Sequence, residues 1–456
     1  MDVAIIGGGL AGLSCAVGLA GSGLRVTVFE KAGVLGGRAR SWVHPATGDT
    51  VDIGPHVVHS EYRNFLAFLD RLGTRHLIRW QPEKLITFAT HPPTVLRHRP
   101  LPPPFSLLPD LVRGAGLGVR DLWSNNAPTW RAMKFGEEDV AELDQWPALE
   151  YLKGCGVTRR MIDWFWRFAC MAVMNVPLEQ CSAAALLRVH AQLIGLRRIH
   201  FGFPTVGLSE LYVEQAARHA DIVLNAEVRS LAEVKAKFIV CAVPPQDLQA
   251  IAPNLADTAP FEPSPYISTY LWFDRKLTRE RFWALLGATR RLATDFYDLS
   301  NIRRGWADRP SVIAANVIYS HRARGMTNQE IIATTQAEIA EFAPEARNAR
   351  ITHAVVNRIP MVIPCPVPGS ESARPAPSAS LAGDWTSTGL PSSMESAVRS
   401  GLMAAEHVLR AAGRPRELAL PVRPNDGIAG LVQRWPRAAR GPAWQRPATA
   451  RARRPL

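Results

Sequence analysis

The first thirty residues limit most narrowly what this chain can fold into. The apolar run Val3 to Ile6 ends at Gly7-Gly8-Gly9-Leu10-Ala11-Gly12, and helix-forming residues follow directly. This order predicts a strand, a tight turn and a helix. In such a turn the first glycine permits the reversal of the chain, the second lets a phosphate approach the backbone, and the third lets the helix lie against the strand.

A second predicted strand, Arg25 to Phe29, ends at Glu30, which lies 18 residues after Gly12. An acidic side chain near this offset accepts a hydrogen bond from a ribose hydroxyl, and the free N–H groups of a helix start favour phosphates. A glycine turn that binds nothing is the alternative, but the strand, the helix and the acid agree on a nucleotide site. The candidate binding residues here are Gly7, Gly9, Leu10, Ala11, Gly12, Glu30 and Lys31.

Cysteine usage and hydropathy argue against several classes of protein. Six cysteines form no C-x-x-C pair and show no metal-ligand spacing, so we expect reduced thiols, a cytoplasmic setting and no metal site. There is no run of 18 apolar residues, so no membrane-spanning helix is expected. The first strand begins within two residues of Met1, so no signal peptide is expected.

The net charge of +13 is concentrated at the C-terminus. Residues 411–456 contain ten arginines and no lysine, against Glu417 and Asp426. A basic tail of this kind is usually solvated and disordered. Because Trp435 and Trp444 lie among the arginines, contact with an anionic membrane surface is the alternative interpretation. Since the rest of the chain is only mildly basic, we do not expect a nucleic-acid partner.

Two further motifs narrow the choice of nucleotide. Leu35-Gly36-Gly37-Arg38-Ala39 follows Glu30-Lys31, and Leu381-Ala382-Gly383-Asp384-Trp385-Thr386 lies near the C-terminus with a helical segment after it. This pair resembles the flavin amine oxidase and phytoene desaturase superfamily. The resemblance implies bound FAD, with Gly37 and Arg38 wrapping it. It also implies Gly383, Asp384, Met394 and Ser400 at the ribitol and at the start of the last helix.

The same resemblance assigns two intermediate segments. Gly54-Pro55-His56 is similar to a glycine turn that passes close to the flavin, although His56 can equally be a hydrogen-bonded loop histidine. His56 is also the one weak catalytic candidate. Ile222 to Leu231 is expected to form a strand pair in which the backbone of Val228 meets the adenine.

Large apolar residues dominate the middle of the chain. Phe105 to Trp130 predicts an amphipathic helix, either in the core of a cap or lying on a bilayer at a lipid entrance. Met161 to Met174 predicts a helix that is apolar on nearly all sides. At about 100° per residue, we expect Phe165 and Trp166 to line an apolar tunnel, while Trp164, Phe168 and Met171 pack in the core. The segments Phe165 to Ala169, Ala172 to Pro177 and Gln180 to Ala183 resemble the hydroxysqualene dehydroxylases, and they also resemble the plant-type phytoene desaturases.

These patterns predict an α/β protein. It has a Rossmann-like FAD-binding domain of the glutathione-reductase type, an interleaved α+β substrate domain and a helical cap. The expected segments are FAD-binding parts at 1–75, 205–255 and 379–412, a helical substrate lobe at 76–204, a substrate-domain sheet at 256–378, and a disordered basic tail at 413–456.

The resemblance implies an FAD-dependent oxidoreductase that acts on a long apolar polyisoprenoid, with reductive dehydroxylation of hydroxysqualene to squalene as the first expectation. A phytoene-type desaturase, an amine oxidase and a non-catalytic flavin-containing lipid carrier remain alternatives. A second dinucleotide motif is absent, so the electron donor or acceptor is expected to be external. The expected location is the cytoplasm or the inner face of the membrane. Departure of the hydroxyl group needs an acid, which the sequence does not identify.

Overall fold

The computed structural model describes residues 1–114, 116–287 and 291–435. The chain begins with the predicted strand, glycine turn and helix, and a short antiparallel hairpin of residues 41–52 follows. In chain order, the elements as far as residue 81 are β1 (Val3–Ile6), α1 (Leu10–Leu19), β2 (Val26–Phe29), β3 (Ser41–Val43), β4 (Thr50–Asp52), β5 (Val58–His59), α2 (Arg63–Leu72) and β6 (Ile78–Gln81).

The next part of the chain is mainly helical. The single helix expected over Phe105 to Trp130 is wrong, because a glycine ends α3 and Gly118 is the N-cap of α4. A π-helical turn, Ile162–Trp166, joins α8 to α9. The elements are β7 (Ile86–Phe88), β8 (Thr94–Leu96), α3 (Leu108–Gly114), α4 (Val119–Ser124), α5 (Asn126–Met133), α6 (Val140–Leu143), α7 (Ala148–Gly154), α8 (Arg159–Met161), α9 (Arg167–Met174) and α10 (Ala183–Gly195).

The rest of the chain contributes strands to three sheets in turn. Its elements are β9 (Phe201–Pro204), α11 (Leu208–Ala217), β10 (Asp221–Val223), β11 (Phe238–Cys241), α12 (Pro245–Ile251), β12 (Pro263–Phe273), β13 (Phe282–Ala284), β14 (Asp295–Asp298), α13 (Leu299–Ile302), β15 (Val312–Val317), α14 (Asn328–Ile339), β16 (Ile351–Pro364), α15 (Met394–Ala411) and α16 (Gly427–Arg434).

A parallel sheet with the strand order β10-β2-β1-β11 forms the nucleotide-binding half of the molecule. Helices α1 and α15 pack together on this sheet, and their small residues allow close contact. A Cβ at Gly12 would lie 2.0 Å from the Gly7 carbonyl oxygen, so only glycine lets α1 start this close to β1. The carboxyl ends of β1 and β2 therefore open onto a crevice beside the start of α1.

The second sheet has seven strands in the order β16-β12-β15-β14-β13-β7-β8. All of its pairs are antiparallel except β13 with β7. One face packs on α14 through residues such as Phe296 and Ile313. The opposite face carries Tyr270, Trp272 and Tyr297, which pack in the same cluster as residues of α7, α9 and α10. The helical cap therefore lies over one face of this sheet only.

The expectation of a disordered tail from residue 413 is wrong for residues 413–435. The Glu406 carboxylate accepts hydrogen bonds from the backbone N–H groups of Leu418 and Ala419, at 2.6 and 2.7 Å. Helix α16 then packs on α5 through Ala429 and Val432. Residues 436–456, with Trp444, lie outside the described residues. Within the described part of the chain, every helix is too short or too polar to cross a bilayer.

Candidate active site

A cavity of about 950 Å³ lies between the parallel sheet and the seven-stranded sheet. At one end its walls are the turn between β1 and α1, the residues that follow β2, and the start of α15. At the other end its walls are the cap helices and the cap-facing side of the large sheet. The two ends differ in chemistry, because the first is lined by backbone groups and charges and the second mainly by aromatic and aliphatic side chains.

The glycine turn and Glu30 form the first wall. Gly7, Gly9, Leu10 and Ala11 line the cavity, whereas Gly12 lies behind them against β1. A Cβ at Gly9 would meet no atom closer than 4.0 Å, so a side chain there would project into the cavity. The Glu30 carboxylate also lines the cavity and accepts 2.8 Å hydrogen bonds from the N–H groups of Gly8 and Ala32. This combination fits the pyrophosphate and ribose of a dinucleotide.

A second wall comes from the two ends of the chain. The Gly36 N–H donates to the Gly8 carbonyl oxygen at 2.9 Å, which fixes the loop containing Gly37 and Arg38 beside the glycine turn. The Arg38 guanidinium forms an ion pair with Asp384 and donates to the Val362 carbonyl oxygen at 2.8 Å. All of these residues except Val362 belong to motifs identified from the sequence.

Residues outside the cavity hold the C-terminal motif in place. Gly383, Asp384 and Met394 line the cavity, but Ser400 does not; its hydroxyl accepts a 2.9 Å hydrogen bond from the Gly383 N–H. No sequence pattern pointed to Arg374. Its buried guanidinium donates to the carbonyl oxygens of Asp384, Thr386 and Leu390, so it fixes the loop before α15. The N-terminus of α15 consequently faces the cavity.

Two other predicted positions also line the cavity. Val228 does so without the expected strand pair, because the strand β10 ends at Val223 and Asn225 adopts a left-handed conformation with φ 54°. His56 lines the cavity and its Nδ1 lies 2.7 Å from the Gly54 carbonyl oxygen. Burial lowers the pKa of His56, so its ring is neutral near pH 7.

The apolar end is built from the cap and the large sheet. Phe165 lines it as expected, together with Trp164 and Phe168, which were expected in the core. The expectation for Trp166 is wrong, because its indole is buried outside the cavity and donates to Asn125 Oδ1 at 2.8 Å. The reason is the π-helical turn Ile162–Trp166, which adds a residue to the turn and invalidates the assumed 100° spacing. Other apolar lining residues are Phe88, Leu193, Leu196, Phe201 and Phe282.

One polar cluster interrupts the apolar end. Its members are Tyr266, Asp295, Tyr297 and Asn316, all of which line the cavity and are at most 6% exposed. Asn316 donates to the Asp295 carboxyl at 2.7 Å and accepts a hydrogen bond from the Tyr266 hydroxyl. The Tyr297 hydroxyl lies near the same carboxyl and lowers its pKa. We call these four residues the Asp295 cluster.

Burial dominates the ionisation of the Asp295 cluster. It raises the pKa of Asp295 to about 7, although the Tyr297 phenol and the hydrogen bond from Asn316 oppose the shift. It also raises the pKa values of Tyr266 and Tyr297 far above their usual range. Sequence reasoning missed this cluster. The available signal was the pair of aspartates, Asp295 and Asp298, inside the predicted strand Ala293 to Leu299, where an ionised carboxylate is costly.

The Asp295 cluster lies close to the polar end of the cavity. A Cβ at Gly54 would be 2.4 Å from the Tyr266 hydroxyl oxygen, so Tyr266 lies directly against the turn that carries His56. Tyr266 also packs in one group with Ile359 and Val362, and the carbonyl of Val362 is the one bound by Arg38. The cluster is thus at the junction between the dinucleotide-shaped end and the apolar end.

Comparisons with known proteins agree with this geometry. Residues 10–409 match the family model described as flavin containing amine oxidoreductase. A 15-cis-phytoene desaturase of Synechococcus elongatus is 27% identical, over 91% of this chain and 99% of the relative. A hydroxysqualene dehydroxylase of Sinorhizobium fredii is 26% identical, over 90% of this chain and 98% of the relative.

Solved structures support the fold. The cyclohexylamine oxidase of Brevibacterium oxydans superimposes with a TM-score of 0.68 and covers 91% of this chain and 99% of its own. At 16% identity this similarity carries information about the fold alone.

Proposed function

The chain belongs to the family of flavin-containing amine oxidoreductases, and on that premise we propose that it reduces hydroxysqualene to squalene. The cofactor is FAD, bound in a Rossmann-like α/β domain, and the protein is an FAD-dependent oxidoreductase. The proposal concerns its substrate, the direction of the reaction and the residues that carry it.

FAD is held in this proposal by the polar end of the cavity. The pyrophosphate is bound by Gly7, Gly9, Leu10 and Ala11. The ribose of the adenosine lies at Glu30 and Lys31, and the adenine lies at Val228. Gly37, Arg38, Gly383, Asp384 and Met394 hold the ribitol and the flavin, while Gly54 and His56 lie beside its ring. Gly12 and Ser400 do not line the cavity. Gly12 lets the helix α1 start close to β1, and the Ser400 hydroxyl accepts a hydrogen bond from the Gly383 N–H. Bound FAD in its reduced form supplies a hydride equivalent.

The apolar end of the cavity supports a long hydrocarbon chain as substrate. Phe88, Trp164, Phe165, Phe168 and Phe282 offer aromatic surface and no charge. A polar amine would lose its hydration here without gaining partners along the wall, whereas a polyisoprenoid gains from burial. Both curated relatives described above carry the names of enzymes that act on polyisoprenoids.

The observation that carries the choice of substrate is the Asp295 cluster. A hydrocarbon such as phytoene has no group that can use a buried carboxyl and two phenols. Hydroxysqualene has one hydroxyl on a long apolar chain, and the Asp295 cluster lies at the junction of the apolar and polar ends of the cavity. Because buried polar groups are retained where they have a partner, the match favours an alcohol.

Desaturation of a phytoene-type carotenoid is the second candidate. It is favoured by the 27% identity to a phytoene desaturase over 91% of the chain. In that reaction the substrate is oxidised, so the FAD must start oxidised and an external acceptor must regenerate it. The direction of electron flow therefore separates the two candidates.

One experiment tests both. The FAD-loaded protein is reduced with dithionite without oxygen and mixed with hydroxysqualene; the oxidised protein is mixed with phytoene. Products are identified by mass spectrometry, and re-oxidation or bleaching of the flavin is followed by absorbance. Squalene with re-oxidised flavin supports the proposal, and a desaturated carotenoid with bleached flavin supports the second candidate. No product in either arm favours a lipid carrier without catalytic activity.

Access for such a substrate is proposed from a membrane surface. Val119, Trp123 and Trp130 on α4 and α5, with Leu431 and Trp435 at α16, are between 52% and 84% exposed. Helix α16 packs on α5, and Arg120 and Arg434 are exposed beside these apolar groups. We call these five apolar residues the cap patch. Apolar side chains beside arginines suit the surface of an anionic bilayer.

A further inference from the structure

The Asp295 cluster is built by the register of the large sheet. Asp295 on β14 lies directly opposite Asn316 on β15, and Asn316 lies opposite Ser268 on β12. Tyr297, two residues after Asp295, points to the same face of the sheet. Since paired strands fix these positions, the carboxyl of Asp295 is held by rigid elements rather than by a loop.

The surroundings of Asp295 contain several ionisable groups but no cation that contributes to its pKa among the described residues. On the strands, the ionisable neighbours are Tyr266, Tyr270 and Tyr297, and burial raises the pKa of each phenol well above its usual range. On the facing segment, His56 is neutral, and Asp52 at the end of β4 is paired with Arg303. Near neutral pH, the group able to give up a proton in this part of the cavity is therefore the carboxyl of Asp295.

The acid that the proposed reaction needs is thus present in the structure. Resting on the proposed function, we propose that Asp295 protonates the departing hydroxyl group of the substrate, and that Asn316 and Tyr297 position its carboxyl. His56 is not suited to this role, since its neutral ring uses Nδ1 toward the Gly54 carbonyl.

The bonds and electrons balance as follows. The C–O bond of the allylic alcohol breaks and its electron pair leaves with the oxygen, which takes the proton of Asp295 and departs as water. The allylic carbon gains a C–H bond from the hydride equivalent of reduced FAD, and an external two-electron donor restores the reduced cofactor. Solvent returns a proton to Asp295 after the product has left.

The protonation of Asp295 can be measured without turnover. Infrared spectra of the FAD-loaded protein are recorded between pH 5 and pH 9, and those of Asp295→Asn are subtracted. We expect the carbonyl band of a protonated carboxylic acid that disappears with a midpoint near pH 7, where the pKa of Asp295 lies. Asn316→Leu should move this midpoint upward, because the hydrogen bond that stabilises the ionised form is lost. A missing band, or one that persists in Asp295→Asn, overturns the proposal.

A matched control is available on the same strand. Asp298 is also buried, and burial raises its pKa, but it bonds Ser300 and Ser311 and does not line the cavity. Asp298→Asn should retain the band assigned to Asp295. It therefore separates loss of one particular acid from a general effect of removing a buried carboxyl from β14.

Single-turnover reduction of hydroxysqualene tests the role itself. In the wild type the rate should fall about tenfold per pH unit above pH 7, because only the protonated carboxyl is active. Asp295→Asn should bind FAD normally but react roughly 10²- to 10⁴-fold more slowly, without this pH dependence. Equal rates in Asp295→Asn and the wild type overturn the acid alone. If the wild type shows the band but leaves hydroxysqualene unchanged, the proposed substrate is wrong, and so is the proposed role of Asp295 as the acid.

Discussion

Arg38 and Asp384 form an ion pair although 346 positions separate them in the chain. The same guanidinium also donates a hydrogen bond to the carbonyl of Val362 on β16. Arg38 therefore connects its own loop after β2 with the C-terminal motif and with the edge strand of the large sheet. Because the Asp384 side chain is almost completely buried, it depends on Arg38 for charge compensation. The polar end of the cavity is therefore completed only when the N-terminal and C-terminal parts of the chain meet.

Arg38→Leu should lower the free energy of unfolding by about 1–3 kcal/mol and weaken FAD binding, since it leaves a buried carboxylate without its partner. Thermal unfolding of the apoprotein and titration with FAD measure the two effects. The double variant Arg38→Leu/Asp384→Leu should recover stability but not FAD affinity. Equal affinity for FAD in the wild type and Arg38→Leu would remove Arg38 from the site.

Glu30→Ala should weaken FAD binding by roughly 1–3 kcal/mol, because a carboxylate that bonds the glycine turn and faces the ribose position is lost. Fluorescence quenching during FAD titration measures the dissociation constant. Glu214→Ala, on the exposed surface of α11, is the control and should bind FAD like the wild type. An unchanged dissociation constant in Glu30→Ala would contradict the assignment.

The helical cap offers a pair of neighbouring aromatic residues with opposite roles. Phe168→Asp places a charge on the cavity wall, so it should keep bound FAD and the fold but abolish turnover of a long isoprenoid. Trp166→Asp places an unpaired charge in the core and should destabilise the cap by several kcal/mol. Flavin content, thermal unfolding and product formation are measured for both. Full lipid turnover in Phe168→Asp would show that α9 does not line the substrate site.

His190 should make the cap unstable in acid. It is fully buried between Phe165 and Trp166, and burial lowers its pKa to about 3. In the unfolded chain this histidine binds a proton at about pH 6.5, whereas in the folded protein it stays neutral down to about pH 3. Its contribution to the free energy of unfolding is therefore complete above pH 6.5 and falls by about 1.4 kcal/mol per pH unit from there toward pH 3. His190→Phe should reduce the drop in melting temperature between pH 7 and pH 5, and His219→Phe, at an exposed position, should not. Equal slopes in all three proteins would contradict this account.

The cap patch should bind anionic vesicles. Trp123→Ser/Leu431→Ser should reduce co-sedimentation with phosphatidylserine vesicles, because both side chains are largely exposed and apolar. Val43→Ser removes an equally exposed apolar side chain on β3 and is the control. Truncation after Trp435 keeps α16 and removes the arginines that follow it. Their contribution to co-sedimentation with the vesicles should vanish at high salt. Equal sedimentation of every variant would exclude this surface.

Much of the cofactor-binding end follows from local sequence. The turn at Gly7 to Gly12, the acid at Glu30 and the motifs around Arg38 and Asp384 each depend on backbone conformations that only certain residues allow. That these motifs serve one cofactor was expected from the resemblance to the flavin amine oxidase and phytoene desaturase superfamily. Conversely, residues 413–435 were misjudged because arginine content says nothing about the packing of the apolar residues between them.

The substrate end depended on the tertiary structure. Trp166 and Phe168 exchanged their expected roles because a π-helical turn, which is not visible as a change of composition, shifted the direction of every later side chain. The Asp295 cluster arises from residues on three strands whose pairing is set over long distances in the chain. Local sequence signals were enough to predict FAD as the cofactor and to propose the motifs that hold it. The side chains that line the apolar end of the cavity depend on strand register and helix packing, because these bring together residues that no local pattern connects.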